Sequence, residues 1–125
     1  MKYNVIIPAD MKPRPKMHEE SAAAILSRYF NSDVHFIKTA KHETPDVSVR
    51  RVEWEIKSPI GSSKNNIQKN MREATRQSHN IVIDLRRSKL HQNRAIGYVK
   101  QFLERSNAVK RVLVITKTGK VLALK

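Results

Sequence analysis

Cysteine is absent from the 125 residues, so neither a disulfide framework nor a thiolate zinc site can be built. Aromatic residues make up only 6% of the chain, which argues against the stacked aromatic platforms that hold single-stranded nucleic acid. No apolar run reaches the length of a membrane span, and the opening Val5-Ile6-Ile7 is too short for the core of a secretory signal. A membrane partner and export by the ordinary route are therefore not expected. Internal repeats and low-complexity stretches are also missing. Acidic residues are scarce, 11 against 25 lysines and arginines, and the formal net charge is +14.

That charge asks for a polyanionic partner, nucleic acid before an anionic membrane surface. It provides affinity and says nothing about chemistry. A chain of this length buries roughly two-thirds of its unfolded surface, enough for one core without staples. Residues 1–16 read as an opening strand (about Lys2 to Ile7) and a flexible proline-rich basic arm with Pro8, Pro13 and Pro15 beside Lys12, Arg14 and Lys16. Residues 17–125 read as a single domain. Its predicted elements are a helix from Met17 to Phe30, a strand from Asp33 to Lys38, the Thr39–Thr44 loop and a hairpin of Pro45–Val49 with Val52–Ser58. Pro59 and Gly61 end the hairpin. Ser62 or Ser63 caps a second helix reaching about Ser78, with Ile67, Met71 and Ala74 at helical spacing. A buried-type strand, Asn80–Leu85, precedes a third helix, Leu90–Ser106. Arg111–Thr116 and Val121–Leu124 close the chain around a Lys117-Thr118-Gly119-Lys120 turn. This order predicts an α/β fold, a mixed sheet flanked by helices.

Against the basic background, carboxylates gather at one place. Pro45-Asp46 is followed, after eight intervening residues, by Glu55-Ile56-Lys57. In a strand from Val52 to Ser58, period-2 alternation puts Val52, Trp54 and Ile56 on one face and Glu53, Glu55 and Lys57 on the other. Antiparallel return through Arg50-Arg51 brings Asp46 close to Glu55 or Lys57. Two such oxygen ligands suit a hard cation such as Mg²⁺, which keeps several waters. A lysine on the same strand face can hold a water or steady charge developing at phosphorus. The bland alternative is a solvated Glu-x-Lys pair; Pro-Asp upstream and the apolar opposite face favour the metal site.

A third carboxylate comes from the first helix. At ~100° per residue, Glu19 falls on the stripe of Ala22, Ala23, Leu26 and Phe30 that turns towards the sheet. Complementing the positive helix N-terminus would also explain it, but a charge in the packed stripe favours the site. Lys69, Arg72 and Arg76 share the outer face of the second helix, an ordinary solvated face or one that meets phosphates. Gln77, near the end of that helix, can turn towards the hairpin. Thr39, Lys41 and His42 lie within reach of substrate in the loop before the motif. His18 reads as a supporting or surface group, Asp84 as paired with Arg86, Arg87 or backbone, and Trp54 and Phe36 as core.

Pro45-Asp46 … Glu55-Ile56-Lys57 resembles the PD-(D/E)XK nuclease signature, and the order helix, hairpin, helix, strand resembles that restriction-endonuclease-like core. More narrowly, the chain resembles the CdiA-type C-terminal tRNase domains of contact-dependent growth inhibition toxins. The resemblance is carried by His18-Glu19 opening an alanine-rich helix, Thr44-Pro45-Asp46 and Trp54-Glu55-Ile56-Lys57-Ser58-Pro59. Further on it includes Ala74, Gln77-Ser78-His79-Asn80, Ile81-Val82-Ile83-Asp84-Leu85-Arg86 and Val112-Leu113-Val114-Ile115-Thr116-Lys117. It implies a nuclease-like domain whose metal, Mg²⁺ or Mn²⁺, is held by Glu19, Asp46 and Glu55, with Lys57 beside the attacking water. It further implies action on tRNA in the cytoplasm of a target cell and a cognate immunity protein as partner. A DNA endonuclease of the same fold, associated with a mobile element, and a non-catalytic nucleic-acid-binding protein are the alternatives.

Overall fold

The computed structural model describes residues 2–38 and 44–125. Seven strands form one sheet in the order β1-β2-β3-β4-β5-β6-β7, and three helices pack on it. The elements are β1 (Val5–Ile6), α1 (Met17–Phe30), β2 (Val34–Phe36), β3 (Val47–Val49), β4 (Val52–Lys57), α2 (Lys64–Thr75), β5 (Asn80–Asp84), α3 (Gln92–Arg105), β6 (Arg111–Ile115) and β7 (Val121–Ala123). Pairing is parallel for β1–β2, β4–β5 and β5–β6 and antiparallel for β2–β3, β3–β4 and β6–β7. The expected mixed α/β architecture is thus present, with helices on both faces of the sheet.

The alternation of β5 divides the core in two. Val82 joins Ala22, Leu26, Val34, Phe36, Val47, Trp54 and Ile56 under α1, while Ile81 and Ile83 join Ile67, Met71, Val99 and Val112 under α2 and α3. The helices do not cover equal spans. Helix α1 packs on β1, β2, β3 and β7, whereas α2 packs on β4, β5 and α3. On the α2 side, therefore, the β1–β3 half of the sheet lies open: His35 is exposed and Ser48 partly so, while Val34, Phe36, Val47 and Val49 are buried beneath α1.

Several predicted boundaries move, each for a local reason. Strand β1 is two residues, not Lys2–Ile7, because it pairs β2 only at Val5↔Val34 and Ile6↔His35. Strand β3 begins at Val47 rather than Pro45, since proline has no N–H for the ladder. Asp46 leaves the regular register: its N–H donates to the Trp54 carbonyl and its own carbonyl accepts from Ile37. Helix α2 is capped by Ser63, whose Oγ accepts from Asn66 N at 3.1 Å, and stops at Thr75 rather than Ser78. The Ser78 hydroxyl donates to the Glu53 carbonyl and draws the chain into β5. Helix α3 begins at Gln92 rather than Leu90, and ends at Arg105.

Candidate active site

The β3–β4 hairpin sets the centre of the site. Val47↔Trp54 is its last regular pair, and just beyond it the Asp46 carboxylate accepts the Ile56 N–H through Oδ2 at 2.9 Å. This bond substitutes a side chain for the missing ladder partner and holds Asp46 against β4. Glu55, between the buried Trp54 and Ile56 in sequence, faces the α2 side and is itself only 2% exposed. Its Oε2 lies 3.3 Å from Lys57 Nζ, and Lys57 in turn lies 4.0 Å from Glu73 Oε2 on α2. The alternation read from the sequence therefore brings Asp46, Glu55 and Lys57 together, but in a partly buried pocket rather than on a solvated strand face.

Burial decides the electrostatics. Loss of solvent first, and the neighbouring Asp46 charge second, push the Glu55 carboxyl up to about 8, with Lys57 pulling the other way. Asp46 is raised too, by burial above all, and the Ile56 hydrogen bond works against that rise. Two adjacent carboxyls in so little water are held apart in charge unless something positive joins them. Glu55 Oε1 is buried and finds no hydrogen-bond partner among the described residues, and neither does Ser58 Oγ. A buried carboxylate oxygen left open beside a second carboxylate fits a hard cation that brings its own waters.

Glu19 stands at the edge of this pair. With Asp46, Phe36 and the residues Met11–Lys16, it lines a cavity of about 280 Å³, and its charge raises Asp46. The proline-rich segment thus forms one wall of the site. Glu19 Oε1 also accepts the Lys16 N–H at 2.7 Å, so the helix-start role is present as well. Among the described residues, no three His, Cys, Asp or Glu side chains gather into a ready metal-holding group. The arrangement is a carboxylate pair with Glu19 as its neighbour.

The expected substrate-contacting residues divide. Arg76 and Gln77 line a cleft of about 570 Å³ on the α2 side of the hairpin, together with Pro45, Arg51, Lys110 and Arg111 among others. Lys69 and Arg72 are exposed on α2 but do not line it. Thr39 and His42, and Lys41 between them, lie outside the described residues. Asp84 is fully buried and paired with Arg86, as expected, through Nε at 2.9 Å and Nη2 at 2.7 Å. Arg86 also reaches Ser21 Oγ and the His18 carbonyl, and His18 Nδ1 meets Arg87, so the end of β5 is tied to the start of α1. Sequence reasoning missed Glu73, Ser58 and the cleft cations Arg51, Lys110 and Arg111. Glu73 was open to discovery, because Asn66, Asn70 and Glu73 recur at helical spacing as a polar stripe of α2.

Residues 43–121 match the family described as Contact-dependent growth inhibition CdiA C-terminal domain. Among solved structures, a chain of the CdiA-CT/CdiI toxin and immunity complex from Burkholderia pseudomallei aligns with a TM-score of 0.72 at 18% identity. The alignment covers 98% of this chain and 98% of that one, a likeness of fold across the whole length. Among curated proteins none matches.

Proposed function

The chain belongs to the contact-dependent growth inhibition CdiA C-terminal domain family, and from that premise we propose that it is a toxin domain that hydrolyses RNA phosphodiesters with a divalent metal, tRNA foremost. The observation that carries this reading is Glu55: a buried carboxyl with an open oxygen, beside Asp46 and 3.3 Å from the Lys57 ammonium. The core is read as PD-(D/E)XK in type. Asp46 and Glu55 would hold Mg²⁺ or Mn²⁺, and Glu19, which lines a cavity with Asp46, would add a third carboxylate charge beside it. Such a cation supplies charge neutralisation at the scissile phosphate and acidifies water.

The chain's own groups do the rest. Lys57, anchored between Glu55 and Glu73, offers its ammonium to the nucleophilic water and to the charge that develops at phosphorus. Asp46 is kept in place by the Ile56 N–H, which holds its Oδ2 against β4. Because water is the nucleophile, the 2′-hydroxyl takes no part, and preference for RNA comes from shape and contacts. The +14 charge holds the substrate. The solved complex pairs a toxin with an immunity protein; we extend that partnership to this chain, with the cytoplasm of a target cell as its place of action.

Incubation with total tRNA and with plasmid DNA, in Mg²⁺, Mn²⁺ or EDTA, tests the reading alongside Asp46→Ala and Lys57→Ala. Discrete tRNA fragments that require metal and both residues are expected. DNA nicking with the same requirements moves the substrate to DNA, and tight binding without cleavage of either leaves a binding module.

A further inference from the structure

The β3–β4 hairpin turns on Arg50 and Arg51, both with positive φ, 50° and 69°. A two-residue hairpin loop with both residues in that region strongly favours Asn-Gly, because a Cβ there crowds the backbone. Two consecutive arginines are therefore held in a conformation that smaller residues adopt more easily. For Arg50 the structure supplies a use: Nη2 donates to the Phe30 carbonyl at 2.7 Å and to that of Asn31 at 3.3 Å, closing the end of α1. Arg51 has no such use. Its side chain is exposed and makes no hydrogen bond or ion pair among the described residues.

Its position is informative. Arg51 lines both the cleft of about 570 Å³ and a second cleft of about 500 Å³ that lies over the open half of the sheet, with His35 and Ser48. The first cleft extends from Arg51 at the hairpin tip to Pro45, the residue before Asp46, and its other rim carries Arg76, Lys110 and Arg111. Neither Arg76 nor Lys110 pairs with a carboxylate among the described residues. Four cations, Arg51, Arg76, Lys110 and Arg111, thus face one carboxylate, Glu53, in a cleft that reaches Pro45, next in sequence to Asp46. An acidic protein surface would also be drawn to it, but a cationic cleft that reaches the residue before Asp46 suits the strand being cut.

We propose that Arg51 is a substrate-binding residue, its guanidinium holding a backbone phosphate of the RNA strand where that strand crosses the open sheet face towards Asp46 and Glu55. The assignment rests on the nuclease reading above. A planar fork of donors matches a phosphate in two places at once, which lysine cannot do. It also gives a reason for keeping a bulky residue where glycine fits better, since strained backbone is retained where a side chain has work to perform.

Arg51→Gly separates this role from a structural one. Thermal melting, tRNA binding in EDTA by fluorescence anisotropy, and metal-dependent cleavage would be measured for wild type, Arg51→Gly and Arg51→Lys. The glycine variant is expected to melt at or above the wild-type temperature, bind tRNA about tenfold more weakly and show a salt slope smaller by about one. The lysine variant should fall between the two. Should glycine loosen the turn, Arg51→Asn, which tolerates positive φ, carries the same comparison. Wild-type affinity and cleavage in a folded glycine or asparagine variant would overturn the assignment. So would loss of immunity-protein binding with RNA binding unchanged, which would give the guanidinium to that partner. A wild-type protein that neither binds nor cuts RNA overturns the nuclease reading itself, an outcome distinct from failure at Arg51 alone.

Discussion

A carboxyl buried as deeply as Glu55 gives the protein a pH dependence of its own. The group has an ordinary value of 4.5 and a folded value of about 8, so between them the folded chain keeps a proton that the unfolded chain has released. Its contribution to stability is full below about 4.5 and is lost as pH rises through about 8; Asp46, also raised, acts in the same direction. Melting temperatures in EDTA are expected to fall over that window, and Glu55→Gln should flatten the fall while abolishing cleavage. Adding Mg²⁺ should restore stability increasingly at higher pH, because the cation takes the place of the proton. Lys57→Ala should lower the cleavage rate by roughly 10²–10³-fold, the loss typical of one preorganised donor, with tRNA affinity nearly unchanged. Asp46, Glu55 and Lys57 were legible in the sequence because strand alternation fixes which side chains share a face. Glu73 and Ser58 were not, because their nearness to Glu55 and Lys57 depends on how α2 lies across β4.

At the level of elements, the ties between them are as specific as the elements. Helix α2 carries Glu73 to Lys57 and begins on the Ser63 cap. Ser63→Ala removes that cap and should cost about 1 kcal/mol, seen as a melting temperature lower by about 3–6 °C. The buried Asp84 holds Arg86, which binds the N-terminal part of α1 through Ser21 and His18. Asp84→Ala leaves that guanidinium without its counter-charge, and about 3 kcal/mol should be lost in urea unfolding. The helices and most strands were legible from periodicity and caps. Their ends were less so: Ser78 belongs by composition to α2, yet its hydroxyl bonds across to Glu53 and turns the chain early. No local pattern encodes a bond between residues so far apart in the chain.

For the molecule as a whole, charge and coverage work together. With +14 overall, tRNA affinity should fall about 10³-fold between ~50 mM and ~200 mM salt, the loss expected for some six phosphate contacts; anisotropy titrations at several salt concentrations check this. A polyanion alone would bind anywhere on such a surface. On the proposed reading, what directs it is the unequal cover of the sheet: α1 lies over β1–β3 on one side and α2 over β4–β5 on the other, so the α2 side of β1–β3 stays open. The sequence by itself determined the strongly basic charge, the mixed α/β order and the shared strand face of the trio Asp46, Glu55 and Lys57, because charge, periodicity and strand alternation are local properties. Only the tertiary structure decided that Glu55 is buried with an open oxygen, that Glu19 is its neighbour through Asp46, and that Arg51, Arg76 and Lys110 line one cleft. Those facts depend on which elements pack together, and packing joins residues that no spacing along the chain relates.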